Sequence, residues 1–130
     1  MKEENYASID TINNIFKNKK IVSIEGLEID SNEILFEFEN GENIIMYHSQ
    51  DCCETVSIED INGDKNLEEA IFYEILEKEC DKEALSDYDE SFTWTFYTIR
   101  TSKGYLDIRW YGTSNGYYSE SVEFKINYLS

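Results

Sequence analysis

The sequence predicts an α+β fold, an antiparallel sheet of five to seven strands with two helices packed on it. Three observations lead there. Apolar and polar residues alternate through the last forty positions, the period of a half-buried strand. Asn, Asp, Ser and Gly clusters break the chain at short intervals, and no Pro is present, so these residues carry every turn. Two other stretches repeat their apolar residues at helical spacing. At 130 residues, 41% hydrophobic and 15% aromatic, the chain is sized for one acidic α+β domain with a real core rather than for disorder.

A first helix is expected at about 8–19, capped by Ser8 and with Ile9, Ile12, Ile15 and Phe16 on one side. Lys17, Lys19 and Lys20 suit the negative end of its dipole. Strands occupy about 20–61. Ile34, Phe36 and Phe38 line one face of a hairpin whose turn is Asn40-Gly41, a pair that favours the positive φ of a two-residue loop. Thr55 to Ile61 forms a further strand ending at Asn62-Gly63-Asp64. A second helix is expected at about 66–80, striped by Leu67, Ala70, Ile71, Ile75 and Leu76. Asp81 to Ser91 has no period and reads as a loop. A three-stranded meander closes the chain at about 92–128. Its core faces are Phe92, Trp94 and Phe96, then Leu106, Ile108 and Trp110, then Val122, Phe124, Ile126 and Tyr128.

The formal net charge is −17, and it is concentrated. Between Glu25 and Glu90 stand 22 acids against Lys65, Lys78 and Lys82, a local net charge of −19. Such a field repels nucleic acid and anionic membranes and steers the protein towards basic surfaces; the ordinary alternative is that it only keeps an aromatic-rich domain soluble. No apolar run is long enough to cross a bilayer, and MKEENYASID lacks the apolar core of a signal peptide, so a cytoplasmic location is expected. Cys52, Cys53 and Cys80 cannot all pair within one chain, and neighbouring cysteines bridge poorly, so reduced thiols are expected.

Two segments are more specialised than folding requires, Tyr47-His48-Ser49-Gln50-Asp51-Cys52-Cys53-Glu54 and Trp110-Tyr111-Gly112-Thr113-Ser114-Asn115-Gly116-Tyr117-Tyr118-Ser119-Glu120. The first holds the sole His beside two thiols, but adjacent cysteines on an extended strand point to opposite faces and lack the C-x(2-4)-C spacing of structural zinc. No metal and no cofactor is expected. A Cys-His nucleophile lacks any recognisable hydrolase signature, and the acidic surroundings disfavour a thiolate. The second segment is rich in Tyr, Asn, Gly and Ser, the composition of adaptable recognition surfaces, although a hairpin turn with packed tyrosines uses the same residues. The two stretches resemble the signature of an uncharacterised domain family of small phage and Gram-positive bacterial proteins. The resemblance covers about 44–124, including Ser57-Ile58-Glu59-Asp60-Ile61 and Phe92-Thr93-Trp94-Thr95-Phe96-Tyr97. It implies a shared fold and a shared polar surface made from these segments, and it brings no catalytic residues.

The expected function is an acidic binding or inhibitor protein, more a binder than an enzyme. Its partner would be a protein with a basic, nucleic-acid-binding surface on a host defence effector such as a CRISPR complex, with no direct contact to nucleic acid or membrane. Glu68, Glu69, Glu74, Asp87, Asp89 and Glu90 are the expected contact acids, and Tyr117 and Tyr118 the aromatic anchors. The alternative is a small-molecule or enzymatic pocket built from His48, Gln50, Asp51, Arg109, Asn115 and Glu120.

Overall fold

Strand period governs this chain even where its apolar spacing looks helical. The computed structural model describes residues 3–50, 53–80, 84–87, 89–116 and 119–128, without the side chains of residues 3–5, 79 and 80. The described elements run β1 (Glu3–Tyr6), α1 (Ile9–Phe16), β2 (Ile21–Glu25), β3 (Glu33–Phe38), β4 (Asn43–Tyr47), β5 (Thr55–Gly63), β6 (Phe72–Cys80), β7 (Ser91–Thr101), β8 (Gly104–Ser114) and β9 (Glu123–Tyr128). They form one sheet in the order β1-β9-β4-β3-β2 and a second in the order β5-β8-β7-β6, with every pairing antiparallel. The protein is therefore mainly β, with one short helix among the described residues, rather than a single sheet carrying two helices.

One hydrophobic cluster joins the sheets. Phe36, Ile44, Met46, Phe124 and Ile126 from the first share it with Ile58, Ile75, Ile99, Ile108 and Trp110 from the second. Two contacts cross it directly: the Trp110 indole donates to the Met46 sulfur at 3.2 Å, and the Tyr97 and Phe124 rings meet edge to face at 5.4 Å. Backbone bonds stitch two corners. Residues 18–21 zip onto 69–72 through Phe72 N to Lys19 O and Ile21 N to Ala70 O, both 2.8 Å. The turn before β3 holds β5 through Asp30 N to Ile58 O and Ile58 N to Ser31 O, also 2.8 Å.

Helix α1 follows its sequence signals. The Ser8 hydroxyl accepts from Thr11 N, Ile12 and Phe16 are fully buried, and the chain leaves through Asn18 at φ 67°. Asn13 then bonds the neighbouring sheet edge twice, accepting from Ile75 N at 2.8 Å and donating to Ile75 O at 3.0 Å. A strand edge that would otherwise offer unpaired amides to another chain is covered by this side chain.

The second helix expected at 66–80 is overturned: residues 72–80 are strand β6. The register shifts between Phe72 and Glu74, so Tyr73 is a bulge. That extra residue puts the buried Phe72 and Ile75 three apart, which imitates helical spacing. Beyond it Glu74, Leu76 and Lys78 share the face of Arg100, Thr98 and Phe96, while Glu77 pairs with Tyr97 on the inner face. The meander is also corrected. Strands β7 and β8 pair as expected, but β9 crosses to the other sheet and lies between β1 and β4. On β7 the core face is Tyr97 and Ile99, so Phe92, Trp94 and Phe96 point outwards. Trp94 is nonetheless buried, packed on Tyr111 at 4.7 Å beside a segment whose Leu85 N and Asp89 both bond the Tyr111 hydroxyl. The hairpin at Asn40-Gly41 forms, with a longer loop than expected: Phe38 N bonds Glu42 O, and of the two residues Gly41 alone takes positive φ, at 85°.

Candidate functional site

The inner face of β7 changes character along its length. Tyr97 and Ile99 are core, but Ser91, Thr93 and Thr95 continue the same face with hydroxyls. Opposite, the chain passes between the sheets at 119–122. The result is a cleft of about 410 Å³ lined by Glu77 and Glu120 together with Ser91, Thr93, Thr95, Tyr97, Ser119, Ser121 and Val122. It meets a neighbouring groove of about 500 Å³ at Glu77 and Val122, where Tyr6, Ala7, Ser8 and Ile9 form the wall.

Both carboxylates are held by hydroxyl donors. Thr93 donates to Glu120 Oε1 at 2.8 Å and Ser114 to Glu120 Oε2 at 2.5 Å; Tyr97 donates to Glu77 Oε2 at 2.6 Å. Gly112 lets Glu120 come this close. A Cβ there would stand 2.8 Å from the Glu120 carbonyl oxygen and 3.0 Å from Val56 Cγ2. Thr95, 5% exposed, makes no side-chain hydrogen bond among the described residues.

His48 fixes the segment that carries Glu120. Its Nδ1 donates to the Ser121 carbonyl at 2.7 Å, and its Nε2 lies 3.7 Å from Glu54 Oε1, with both side chains buried. Gln50 closes the same turn by donating to the Glu54 carbonyl at 2.6 Å. The two signature segments thus meet at one end of the sheets, bringing His48, Gln50, Glu54, Glu120 and Ser121 together. Arg109 is elsewhere. It projects from the outer face of β8, 4.9 Å over the Phe96 ring and 3.6 Å from Asp60, with the sheet between it and the cleft. Asn115 is exposed in the turn after Ser114, and Asp51 and Cys52 lie outside the described residues. Cys53 is disulfide-bonded, to a partner whose side chain is outside those described, which corrects the expectation of reduced thiols. A sulfur in that state is neither a nucleophile nor a zinc ligand. No group of three or more metal-ligating side chains occurs among the described residues.

The six expected contact acids are spread along the edge of the second sheet. Glu68 and Glu69 precede β6, with Glu69 3.3 Å from Lys20; Glu74, on its outer face, is 3.3 Å from Arg100. Asp87, Asp89 and Glu90 stand beyond the far end, where Asp89 accepts from Tyr111 at 2.6 Å. Burial, then the bond to Asp89, raises the Tyr111 phenol above its ordinary pKa. Burial likewise raises Tyr47, whose hydroxyl is buried with no hydrogen-bond partner among the described residues, and Tyr6 and the Glu123 charge add to the rise. Tyr117 and Tyr118 lie outside the described residues. Sequence reasoning found Glu120 and His48 but missed Glu77, Thr93 and Thr95, because a helix over 66–80 removed β6 from the site and the outward reading of β7 hid its hydroxyl face.

Fold and cleft define an acidic, mainly antiparallel β protein whose two specialised segments converge between its sheets. The chain belongs to the family described as Domain of unknown function (DUF7448), which matches residues 14–124. The match reaches further towards the N-terminus than the resemblance over 44–124 and takes in the last turn of α1 with β2 and β3. Neither a curated protein nor a solved structure shows significant similarity to it. No helix among the described residues is long and apolar enough to cross a membrane.

Proposed function

We propose that the protein is an acidic binding protein that occupies a basic, nucleic-acid-binding surface of a host defence effector, a CRISPR complex being one such target, in the manner of a phage-encoded cytoplasmic inhibitor. The observation that carries this reading is the row of carboxylates along β6. Nine residues of strand separate Glu68 and Glu69 from Asp87 and Glu90 by about 30 Å, with Glu74 between them on the outer face. Lys20 and Arg100 pair with two of these acids, and the excess of charge remains. An extended row matches an extended basic channel better than it matches a point contact. The phage association rests on the resemblance of the two signature segments.

The test is tagged capture from a bacterial lysate under stepwise salt. Recovery of one basic nucleic-acid-binding complex that is released as the Debye length falls below about 10 Å supports the reading. Recovery unaffected by salt, or of no partner, contradicts it. The cleft favours a second reading, a small-molecule site, which keeps Glu120 from the expected pocket and leaves Arg109 out.

A further inference from the structure

We infer that the cleft between the sheets binds a linear polyamine, an inference that rests on the second reading above. The hydrogen-bond inventory decides the chemistry. The hydroxyl protons of Thr93, Ser114 and Tyr97 are already committed to Glu120 and Glu77. What these groups still offer is lone pairs, so the wall presents acceptors and negative charge, with no lysine or arginine in the lining among the described residues. A ligand that satisfies it must bring several N–H donors and positive charge. Thr95 independently marks the floor as a binding surface, since the residue is 5% exposed, its side chain lines the cleft, and its hydroxyl has no hydrogen-bond partner among the described residues.

Spacing selects a chain over a single ion. The carboxylates are anchored to Thr93 and Tyr97, four residues apart on β7 and therefore about 13 Å apart along the strand. One hard metal ion needs its oxygens at about 2.3–2.6 Å and is poorly served by that arrangement. Two ammonium groups joined by methylenes are well served, because Val122 adds an apolar contact to the lining and the cleft meets, at Glu77 and Val122, a groove lined by Ala7, Ile9 and Phe124.

The experiment is calorimetric titration of the full chain with spermidine and, separately, with calcium. The variants are Thr95→Val, Glu77→Gln and Glu120→Gln, with the double variant Glu28→Gln/Glu33→Gln as a control that removes more charge away from the cleft. Saturation at one spermidine per chain is expected, weakened about tenfold or more by Glu77→Gln and Glu120→Gln and also weakened by the charge-neutral Thr95→Val. The control should bind within about twofold of the unaltered protein, since exposed charges are screened. Equal weakening by the control would show condensation on an acidic surface and overturn the inference. Calcium binding that depends on Glu120, without spermidine binding, would overturn the polyamine and leave the cleft a site. Saturable binding of neither would overturn both.

Discussion

Asn13→Ala isolates the contact that ties α1 to the open edge of β6. The Asn13 amide takes both backbone groups of Ile75, at 2.8 and 3.0 Å, on the edge of β6 that β7 does not cover. Ile75 itself is 3% exposed, so water cannot freely replace the lost partner. Two hydrogen bonds are worth about 1 kcal/mol each, and a part-buried orphaned donor adds to the loss, giving about 2–3 kcal/mol in all. For a chain of this length that lowers Tm by roughly 8–12 °C. Asn13→Asp should lie between the two proteins, because a carboxylate still accepts from Ile75 N but opposes the Ile75 carbonyl. Urea unfolding measures the loss, and amide exchange at Ile75 locates it. A change within about 0.5 kcal/mol for Asn13→Ala, with Ile75 exchange unaltered, would refute the pairing of Asn13 with the β6 edge.

Other consequences are equally direct. Gly112→Ala drives a methyl into the Glu120 backbone and Val56, so a loss of about 1–3 kcal/mol in urea unfolding is expected, together with weakened ligand binding in the cleft; an unchanged midpoint would contradict the packing. Tyr47 and Tyr111 have raised phenol pKa values, so their contribution is intact below the ordinary tyrosine pKa of about 10 and is lost as pH rises through the folded values. Stability measured by urea unfolding from neutral to alkaline pH should therefore fall above about pH 10, and less steeply in Tyr111→Phe; identical slopes would contradict the assignment. Cys53 should resist alkylation until reductant is added, read by mass spectrometry on the native protein, and prompt labelling would show a free thiol instead.

Much of the fold is legible in the sequence where one side of a strand is uniformly apolar. Ile34, Phe36 and Phe38, then Leu106, Ile108 and Trp110, alternate without interruption, and each set lies in the core. Ser8 announces α1 through a bond that needs no tertiary context. The failures share a cause, which is that the pattern was set by long-range structure. The bulge at Tyr73 shifts the face of β6 by one residue, and no local signal separates that from a helix. Phe92, Trp94 and Phe96 look like core because they alternate, yet Trp94 is buried from outside, beside the segment that bonds Tyr111. The true inner face there is Thr93 and Thr95, whose hydroxyls belong to the cleft and so read as solvent-facing. For the site, Glu120 and His48 stood out because their segments are unusual in composition. Arg109 lies only one residue from the buried Trp110, and that single step puts it on the opposite face of the sheet.

The most direct test is the affinity of the captured partner for the unaltered protein and for Glu68→Lys/Glu69→Lys/Asp87→Lys/Glu90→Lys. All four side chains are exposed, so the variant should keep its circular dichroism. Loss of binding by at least about a hundredfold, with the salt dependence of the residual affinity flattened, is the predicted result. Unchanged affinity in the folded variant would contradict the claim that the acidic row along β6 recognises the partner.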